Sequence, residues 1–355
     1  MTVIALDIGG TELKGAVVAQ DGTVVRTERR PTRPTRPARP AQPARPTGPA
    51  RGAGAVIDTV LGFATELADL ARHAGTPPRA AGVVAPGLVD ETAGTVVRAV
   101  NLDWHDVPIR HRLAEHLGLP VAFGHDVRAG GLAEARLGAG RGSDSFVFVP
   151  VGTGIAAALV TGGRAVTGAR GIAGELGHLV VRPGGERCAC GGRGCLETVA
   201  SAAAIARRHA RLTGSTTLDA EDVHRRAVAG EAAAGQVWAE AVEALADGLA
   251  ATVALLDPER IVIGGGLARA GEDLLAPLAA ALAERLAFRA PPRLVAAELG
   301  RRAGCLGAAL LAQDLAASGL ASWSVSAGGM PSSGGVPSSG GVPSSVGVPS
   351  SGGVP

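Results

Sequence analysis

A chain of 355 residues is long enough for two domains, each with a hydrophobic core of its own. Hydrophobic residues make up 46% of the chain but aromatic residues only 2%, so alanine, glycine, valine and leucine must fill these cores. The net charge of +2 argues neither for nor against nucleic acid, and no uncharged apolar run approaches the roughly 20 residues of a membrane-spanning helix. The first ten residues carry no basic start and Asp7 interrupts their apolar run, so we expect a cytoplasmic protein without a secretory signal.

The first half of the chain alternates short strands with helices. The strands predicted here are 2–8, 14–20, 23–28, 81–85 and 121–124. The helices predicted here are 56–73, 107–117 and 126–137. Between them, residues 31–51 repeat proline and arginine, which predicts an extended, solvated insertion rather than a helix or a strand.

The second half begins with strands and becomes strongly helical. Its predicted strands are 145–149, 155–160 and 260–263, and its predicted helices are 199–212, 219–228, 231–256, 271–287 and 303–317. This pattern indicates an α/β protein with two sheet-centred halves. From residue 322 to 355 the unit Pro-Ser-Ser-Gly-Gly-Val recurs, which predicts a disordered tail.

Three glycine turns follow predicted strands. The segment from Asp7 through Gly9-Gly10-Thr11 to Lys14, the only lysine of the chain, combines a strand-end carboxylate, two glycines and a hydroxyl. Glycines let backbone amides approach phosphate oxygens, and the carboxylate can hold Mg²⁺. A similar turn, Gly152-Thr153-Gly154, lies in the second half, and a third, Gly264-Gly265-Gly266, can receive a nucleoside. Each turn alone suits an ordinary β-turn, but together they indicate a duplicated fold that holds a nucleotide triphosphate between lobes.

Asp126 follows the strand predicted for 121–124 and begins the helix predicted for 126–137. A carboxylate at this position caps a helix, which stabilises it by roughly 1 kcal/mol. The same carboxylate can orient an attacking hydroxyl group and accept its proton in phosphoryl transfer. The residues alone leave both roles open.

Three of the four cysteines lie within residues 188–195, and a histidine stands ten residues upstream of the first. In a protein expected in the cytoplasm, such a cluster indicates a metal site rather than disulfides. Four ligands complete a tetrahedral zinc shell without an open position, so we expect a structural site. The predicted zinc ligands are His178, Cys188, Cys190 and Cys195.

Two carboxylates flank this cluster. Glu175 precedes His178 by three residues, and Glu197 follows Cys195 by two. Carboxylates held in place on a metal-bound loop suit a site that binds two adjacent hydroxyl groups of a diol. The alternative is that both glutamates are solvated surface charges.

Together these motifs resemble the ROK family of repressors and sugar kinases, in the actin/hexokinase-like ATPase superfamily. The resemblance runs from residue 2 to about 317 and leaves out the proline insertion and the tail. The motifs that carry it are Asp-x-Gly-Gly-Thr-x-x-Lys at 7–14, Ala-Pro-Gly at 85–87, Asn-Leu-x-Trp at 101–104, Gly-Thr-Gly at 152–154, Gly-Glu-x-Gly-His at 174–178 and Cys-x-Cys-Gly-x-x-Gly-Cys-x-Glu at 188–197. The last two are highly specific in this order and spacing.

The resemblance implies a two-lobed actin-like (ribonuclease H-like) fold with duplicated α/β domains. The first would span 1–122, carry the insertion 31–51 and be completed by the helix 303–317. The second would span 123–302 and carry the zinc loop 178–197. Family members are often homodimers or homotetramers.

The resemblance also implies a hexose kinase that uses ATP with Mg²⁺ and holds a structural Zn²⁺. Asp126 would be the catalytic base toward the sugar 6-hydroxyl, and His178 would use one ring nitrogen on zinc and the other on the sugar. Sugar-binding residues would be Asn101, Asp126, Glu175, His178 and Glu197. By the resemblance Gly9, Gly10, Thr11 and Thr153 would contact the phosphates. The glycine turns add the remaining predicted nucleotide-binding residues: Asp7, Lys14, Gly152, Gly154, Gly265 and Gly266.

One residue departs from the family pattern. Family kinases usually carry Asn-Asp where this chain has His125-Asp126, and that asparagine commonly helps to hold the sugar. Glucose and N-acetylglucosamine are therefore both open as substrates, with glucose slightly preferred.

Two other classes of protein remain as alternatives. Sugar-sensing repressors share the zinc motif but normally carry an N-terminal helix-turn-helix domain, for which a first strand at residue 2 leaves no room. A sugar-binding protein that has lost turnover is the second alternative. Intact Asp7 and Asp126 favour catalysis, and we expect no nucleic-acid partner.

Overall fold

The computed structural model describes residues 2–33 and 50–319. The predicted tail, 322–355, lies outside the described residues, and so does the Pro/Arg insertion between residues 34 and 49. Both ends of the predicted insertion belong to regular elements, because a strand extends to Pro31 and a helix begins at Ala50.

The described residues form strands and helices in alternation. The strands are β1 (Thr2–Ile8), β2 (Glu12–Ala19), β3 (Val24–Pro31), β4 (Pro78–Ala85), β5 (Leu88–Asp90), β6 (Thr95–Ala99), β7 (Trp104–Val107), β8 (Val121–His125), β9 (Phe146–Pro150), β10 (Ala158–Thr161), β11 (Arg164–Ala165), β12 (Arg260–Gly264) and β13 (Arg293–Ala296). The helices are α1 (Ala50–His73), α2 (Ile109–Leu117), α3 (Asp126–Leu137), α4 (Glu197–Ala200), α5 (Ala202–Thr213), α6 (Ala220–Val228), α7 (Ala232–Leu256), α8 (Glu272–Arg285) and α9 (Ala303–Ala317).

Two five-stranded sheets share one arrangement of strands. The first has the order β3-β2-β1-β4-β8 and the second the order β11-β10-β9-β12-β13. In each sheet three antiparallel strands are followed by two strands that run parallel to the central one. The hairpin β1–β2 therefore corresponds to the hairpin β9–β10, and the predicted duplicated α/β fold is confirmed.

The central strands are buried on both faces. All seven residues of β1, Thr2 to Ile8, are buried, which explains why its sequence is an almost continuous apolar run instead of an alternating one. Helix α9 packs against this sheet so closely that a Cβ at Gly82 would lie 1.9 Å from the Ala308 carbonyl oxygen. Long-range packing of this kind joins the end of the described chain to its first strand.

A third, three-stranded sheet was missed by the sequence analysis. It has the order β5-β6-β7. Its last strand ends at Val107, the first residue of the helix predicted for 107–117, and that helix begins at Ile109 instead. The helix predicted for 199–212 is likewise two helices, because Ser201 ends α4 and caps α5 with a side chain that accepts from the Ala204 amide. Among the residues that the structure describes, no helix is long and apolar enough to cross a bilayer.

Candidate active site

A cleft of about 630 Å³ lies between the two five-stranded sheets. Eight of the predicted site residues line it: Asp7, Gly9, Lys14, Asp126, Gly152, Thr153, Gly265 and Gly266. Lys14 lies in β2, Asp126 begins α3 directly after β8, and the others come from the end of β1 or from the turns that follow β1, β9 and β12. The duplicated topology itself brings them together.

The first glycine turn (Gly9–Thr11) closes the hairpin between β1 and β2. The Gly9 amide donates to the Glu12 carbonyl at 3.1 Å, and a Cβ at Gly9 would lie 2.6 Å from that carbonyl oxygen. A Cβ at Gly10 would lie 2.7 Å from Asn101 Nδ2, so the lack of a side chain allows Asn101 to approach the turn. Thr11 lies exposed at its tip.

Asp7 and Lys14 face each other across the same hairpin. Lys14 Nζ donates to Asp7 Oδ2 at 2.9 Å, and the two residues are paired in the β1–β2 register. Burial raises the pKa of the Asp7 carboxyl, against the opposing effect of Lys14. Helix α9 begins beside this carboxylate, since a Cβ at Gly304 would lie 2.8 Å from Asp7 Oδ2.

The second glycine turn (Gly152–Gly154) and the third (Gly264–Gly266) meet on the other side of the cleft. The Gly152 amide donates to the Gly154 carbonyl at 3.0 Å, and the Val151 amide donates to the Gly264 carbonyl at 3.0 Å. Gly265 has a φ of +77°, and a Cβ there would lie 2.3 Å from the Val151 carbonyl oxygen. This position needs a positive φ and leaves no room for a Cβ atom, and only glycine meets both requirements.

Asp126 begins α3 and points into the cleft that the three glycine turns line. Its Oδ1 accepts from the Val127 amide at 2.7 Å. Burial raises the pKa of its carboxyl, while that hydrogen bond and the charges of Lys14 and Arg128 lower it. The N-cap of α3 is His125 and not Asp126, so the capping role that the sequence offered for Asp126 is wrong. Asp126 is the first residue of the helix, and its carboxylate faces the cleft.

His125 is buried directly behind Asp126. Its Nδ1 lies 3.3 Å from the Val127 amide nitrogen and 3.4 Å from Asp126 Oδ1. Burial, with a contribution from Arg128, lowers the pKa of His125 to about 4, so the ring is neutral at pH 7.

A buried charge network behind His125 was not predicted from the sequence. Arg128, only 5% exposed, donates through Nε to Glu91 Oε1 at 3.0 Å and through one terminal nitrogen to the Gly171 carbonyl at 3.0 Å. Glu91 Oε1 also accepts from the His125 amide at 3.0 Å. The network joins the start of α3 to the loop that leads to Glu175. Arg128 and Glu91 are 37 positions apart in the sequence, so no local motif revealed their pairing.

The structure brings the four predicted metal ligands together. One ligand atom from each of His178, Cys188, Cys190 and Cys195 lies within 4.8 Å of the others, a grouping that could hold a metal ion. Cys188 Sγ lies 3.6 Å from His178 Nδ1, and Cys190 Sγ lies 3.7 Å from Cys195 Sγ. The loop is tight enough that Gly194, at φ +74°, would bring a Cβ within 1.7 Å of the Arg182 carbonyl oxygen.

Both predicted carboxylates lie beside this cluster. Glu197 Oε1 lies 3.1 Å from Cys188 Sγ and 3.5 Å from His178 Nδ1, while Glu175 Oε2 lies 3.7 Å from His178 Nε2. The Nδ1 atom of His178 therefore faces the cysteines, and its Nε2 atom faces Glu175. A second cavity, of about 510 Å³, is lined by Glu197, Cys188 and also Thr153, which connects the cluster to the second glycine turn.

The cleft also has cationic lining that the sequence analysis missed. Arg269, after β12, and Arg301, just before α9, both line it. Neither lies in a motif, and each follows a glycine-containing loop whose position depends on the packing of distant elements.

Comparison with known proteins gives concordant matches over most of the chain. A sequence model described as the ROK family matches residues 3–315. The glucokinase of Thermotoga maritima is 34% identical over 330 residues, which cover 88% of this chain and 98% of that protein. The N-acetylmannosamine kinase of Shigella boydii is 33% identical over 316 residues, 88% of this chain and 99% of that protein. A crystal structure of a ROK family glucokinase from Streptomyces griseus in complex with glucose and AMPPNP is 30% identical, with a TM-score of 0.74 over 88% of this chain and 100% of that chain.

Proposed function

The chain belongs to the ROK family, and we propose that it transfers the γ-phosphoryl group of ATP to the 6-hydroxyl group of glucose, with Asp126 as the base. That the chain is an ATP-dependent sugar kinase rests on glucokinase relatives that span its length and on a structural relative that holds glucose and an ATP analogue. The observation that carries the finer proposal is the cleft in which Asp126 faces the glycine turns of both sheets.

In the proposed mechanism Asp126 orients the sugar hydroxyl and accepts its proton as the oxygen–phosphorus bond forms. The bond between the γ-phosphorus and the bridging oxygen of ATP breaks in the same step, and ADP is the leaving group. The glycine turns of the two sheets approach the phosphates from opposite sides, and their backbone amides balance the charge that develops. Lys14 Nζ, held beside Asp7, adds a fixed positive charge at the same end of the cleft. The carboxylate of Asp7 would hold the magnesium ion that accompanies ATP and neutralises its phosphates.

We assign Zn²⁺ to the four-ligand cluster. A tetrahedral shell with zinc–sulfur bonds of about 2.3 Å has sulfur–sulfur edges of about 3.8 Å. The distance of 3.7 Å between Cys190 Sγ and Cys195 Sγ fits that geometry. With four protein ligands the ion would have no open position, and it would hold the loop in place. The reacting groups of the proposed mechanism are Asp126 and the residues that line the cleft.

The proposed base predicts how activity depends on pH. Asp126 acts only when deprotonated, and burial raises its pKa above the ordinary value of 3.8. We therefore expect log kcat/KM to fall with a slope of one as pH falls through an apparent pKa above 3.8. His125, with a pKa of about 4, is neutral at pH values well above 4, so the part of the fall in that range reports Asp126. A profile that is flat down to pH 3.8, measured under conditions where the fold is intact, contradicts the assignment of the base.

The identity of the sugar substrate is tested by measuring ADP release from MgATP in the presence of glucose, mannose, N-acetylglucosamine or N-acetylmannosamine. We expect glucose to give the highest kcat/KM, since several glucokinases match over nearly their full length at 31–34% identity and the structural relative that holds glucose is 30% identical. A higher value for an acetamido sugar would move the substrate to that class and leave the kinase reaction in place. No ADP release with any hexose would favour the sugar-binding or regulatory alternatives.

A further inference from the structure

Thr32 is a buried residue beside the first glycine turn that the motifs did not indicate. Its side chain is fully buried, and its hydroxyl group donates to the Gly9 carbonyl oxygen at 2.6 Å. Its backbone amide donates to the Thr11 carbonyl oxygen at 3.0 Å. Thr32 thus holds two of the three carbonyl groups of this turn, one through its side chain and one through its backbone.

From this geometry we infer that Thr32 is a positioning residue for the phosphates of ATP, an inference that rests on the proposed function. A trans peptide points its C=O and its following N–H in opposite directions. A Gly9 carbonyl held by Thr32 therefore fixes the direction of the Gly10 amide in the same peptide plane. Two adjacent glycines would otherwise allow that plane to rotate at little cost.

The local sequence supports this role. The register of β2 and β3 pairs Glu12 with Pro31, so the proline occupies the last strand position before Thr32. Hydrogen-bonded and non-hydrogen-bonded pairs alternate along antiparallel strands, and the bond from the Thr32 amide to Thr11 makes Glu12–Pro31 a non-hydrogen-bonded pair. The nitrogen of Pro31, which has no amide proton, therefore faces away from β2 and costs no hydrogen bond between these strands. Strand β3 ends at Pro31, and the next residue, Thr32, places its hydroxyl group within hydrogen-bonding distance of the Gly9 carbonyl oxygen.

The test is Thr32→Val, which keeps the shape of the side chain and removes the hydroxyl donor. We expect the dissociation constant for AMPPNP with Mg²⁺, measured by calorimetry on the full zinc-loaded chain, to rise about 5-fold, the size expected for one lost hydrogen bond. The KM for MgATP should rise by the same factor, while the KM for glucose should change less than 2-fold. Thr32→Ser restores the donor and should return nucleotide affinity to within 2-fold of wild type.

Thr2→Val is the matched control. The Thr2 hydroxyl also donates to a backbone carbonyl at 2.6 Å, that of Thr76, and Thr2 is also buried, but it lies at the opposite end of β1. Both valine variants should lower the melting temperature, and only Thr32→Val should weaken nucleotide binding. Should Thr32→Val not fold, Thr32→Ala removes the same donor without placing a methyl group against the Gly9 carbonyl.

The outcomes separate this role from the proposed function. An active wild type together with unchanged nucleotide affinity in the folded Thr32 variant overturns the inference alone. An equal loss of nucleotide affinity in Thr2→Val would assign Thr32 a general structural role and would also overturn the inference. A rise in the KM for glucose equal to the rise in the KM for MgATP in Thr32→Val would do the same. A wild-type protein that binds no AMPPNP overturns the proposed function and this role with it.

Discussion

Replacing Asp126 by asparagine is expected to lower kcat by about 1,000-fold, within the range for loss of a general base. The asparagine amide cannot accept the proton of the sugar hydroxyl, but its oxygen can still accept from the Val127 amide, as Asp126 Oδ1 does at 2.7 Å. The start of α3 should therefore keep its structure, and the affinity for glucose should remain within a few-fold of wild type. Steady-state ADP release gives kcat, and calorimetry gives the affinity for glucose.

Asp21→Asn is the matched control for this substitution. Asp21 also accepts from a backbone amide, that of Thr23 at 2.9 Å, but it is exposed in the β2–β3 turn, away from the cleft. Its kcat should equal that of wild type. An Asp126→Asn enzyme that keeps more than about a tenth of wild-type kcat would rule out Asp126 as the base, because orientation alone would then account for its contribution.

Replacing Cys190 by serine is expected to release zinc and to raise the KM for glucose by about 10-fold or more, a size typical of damage to the support of a metal site. Glu197 follows Cys195 by two residues and lies 3.1 Å from Cys188, both proposed zinc ligands, so we expect its position to depend on the intact cluster. His178 would lose the bond that orients its ring toward Glu175. The KM for MgATP should change less, since the glycine turns lie on strands of the two sheets.

Zinc content, melting temperature and the two Michaelis constants check this prediction together. Cys305→Ser makes the same chemical change outside the cluster, in α9, and should keep one zinc ion per chain. A Cys190→Ser protein that has lost zinc but binds glucose with wild-type affinity would separate the cluster from the sugar site. The sugar would then have to bind away from Glu175 and Glu197.

Local signals in the sequence were sufficient for much of the site. Helix α3 begins at Asp126 as predicted, because a polar residue follows an apolar strand and the helical spacing starts at once. The four proposed metal ligands could be grouped from the sequence because zinc sites on short loops impose spacing along the chain, here within residues 178–195. The glycine turns were visible for the same reason, since a tight turn needs its glycines next to one another.

The features that were missed depend on residues far apart in the chain. Thr32 was assigned to the Pro/Arg insertion, because composition alone cannot show that its hydroxyl reaches Gly9, 23 residues earlier. The pairing of Arg128 with Glu91 depends on how the third sheet packs against α3. That sheet was itself missed because its strands have only three to five residues and weak apolar alternation.

In the proposed function, the cleft between the two sheets directs a phosphoryl group from ATP to the sugar 6-hydroxyl. The most direct measurement is the structure of the product formed from glucose and MgATP, determined by proton–phosphorus correlation NMR. We expect one phosphate ester per ADP, with the phosphorus coupled to the two protons on carbon 6. ADP with free phosphate and no ester, or an ester on another carbon, would contradict it.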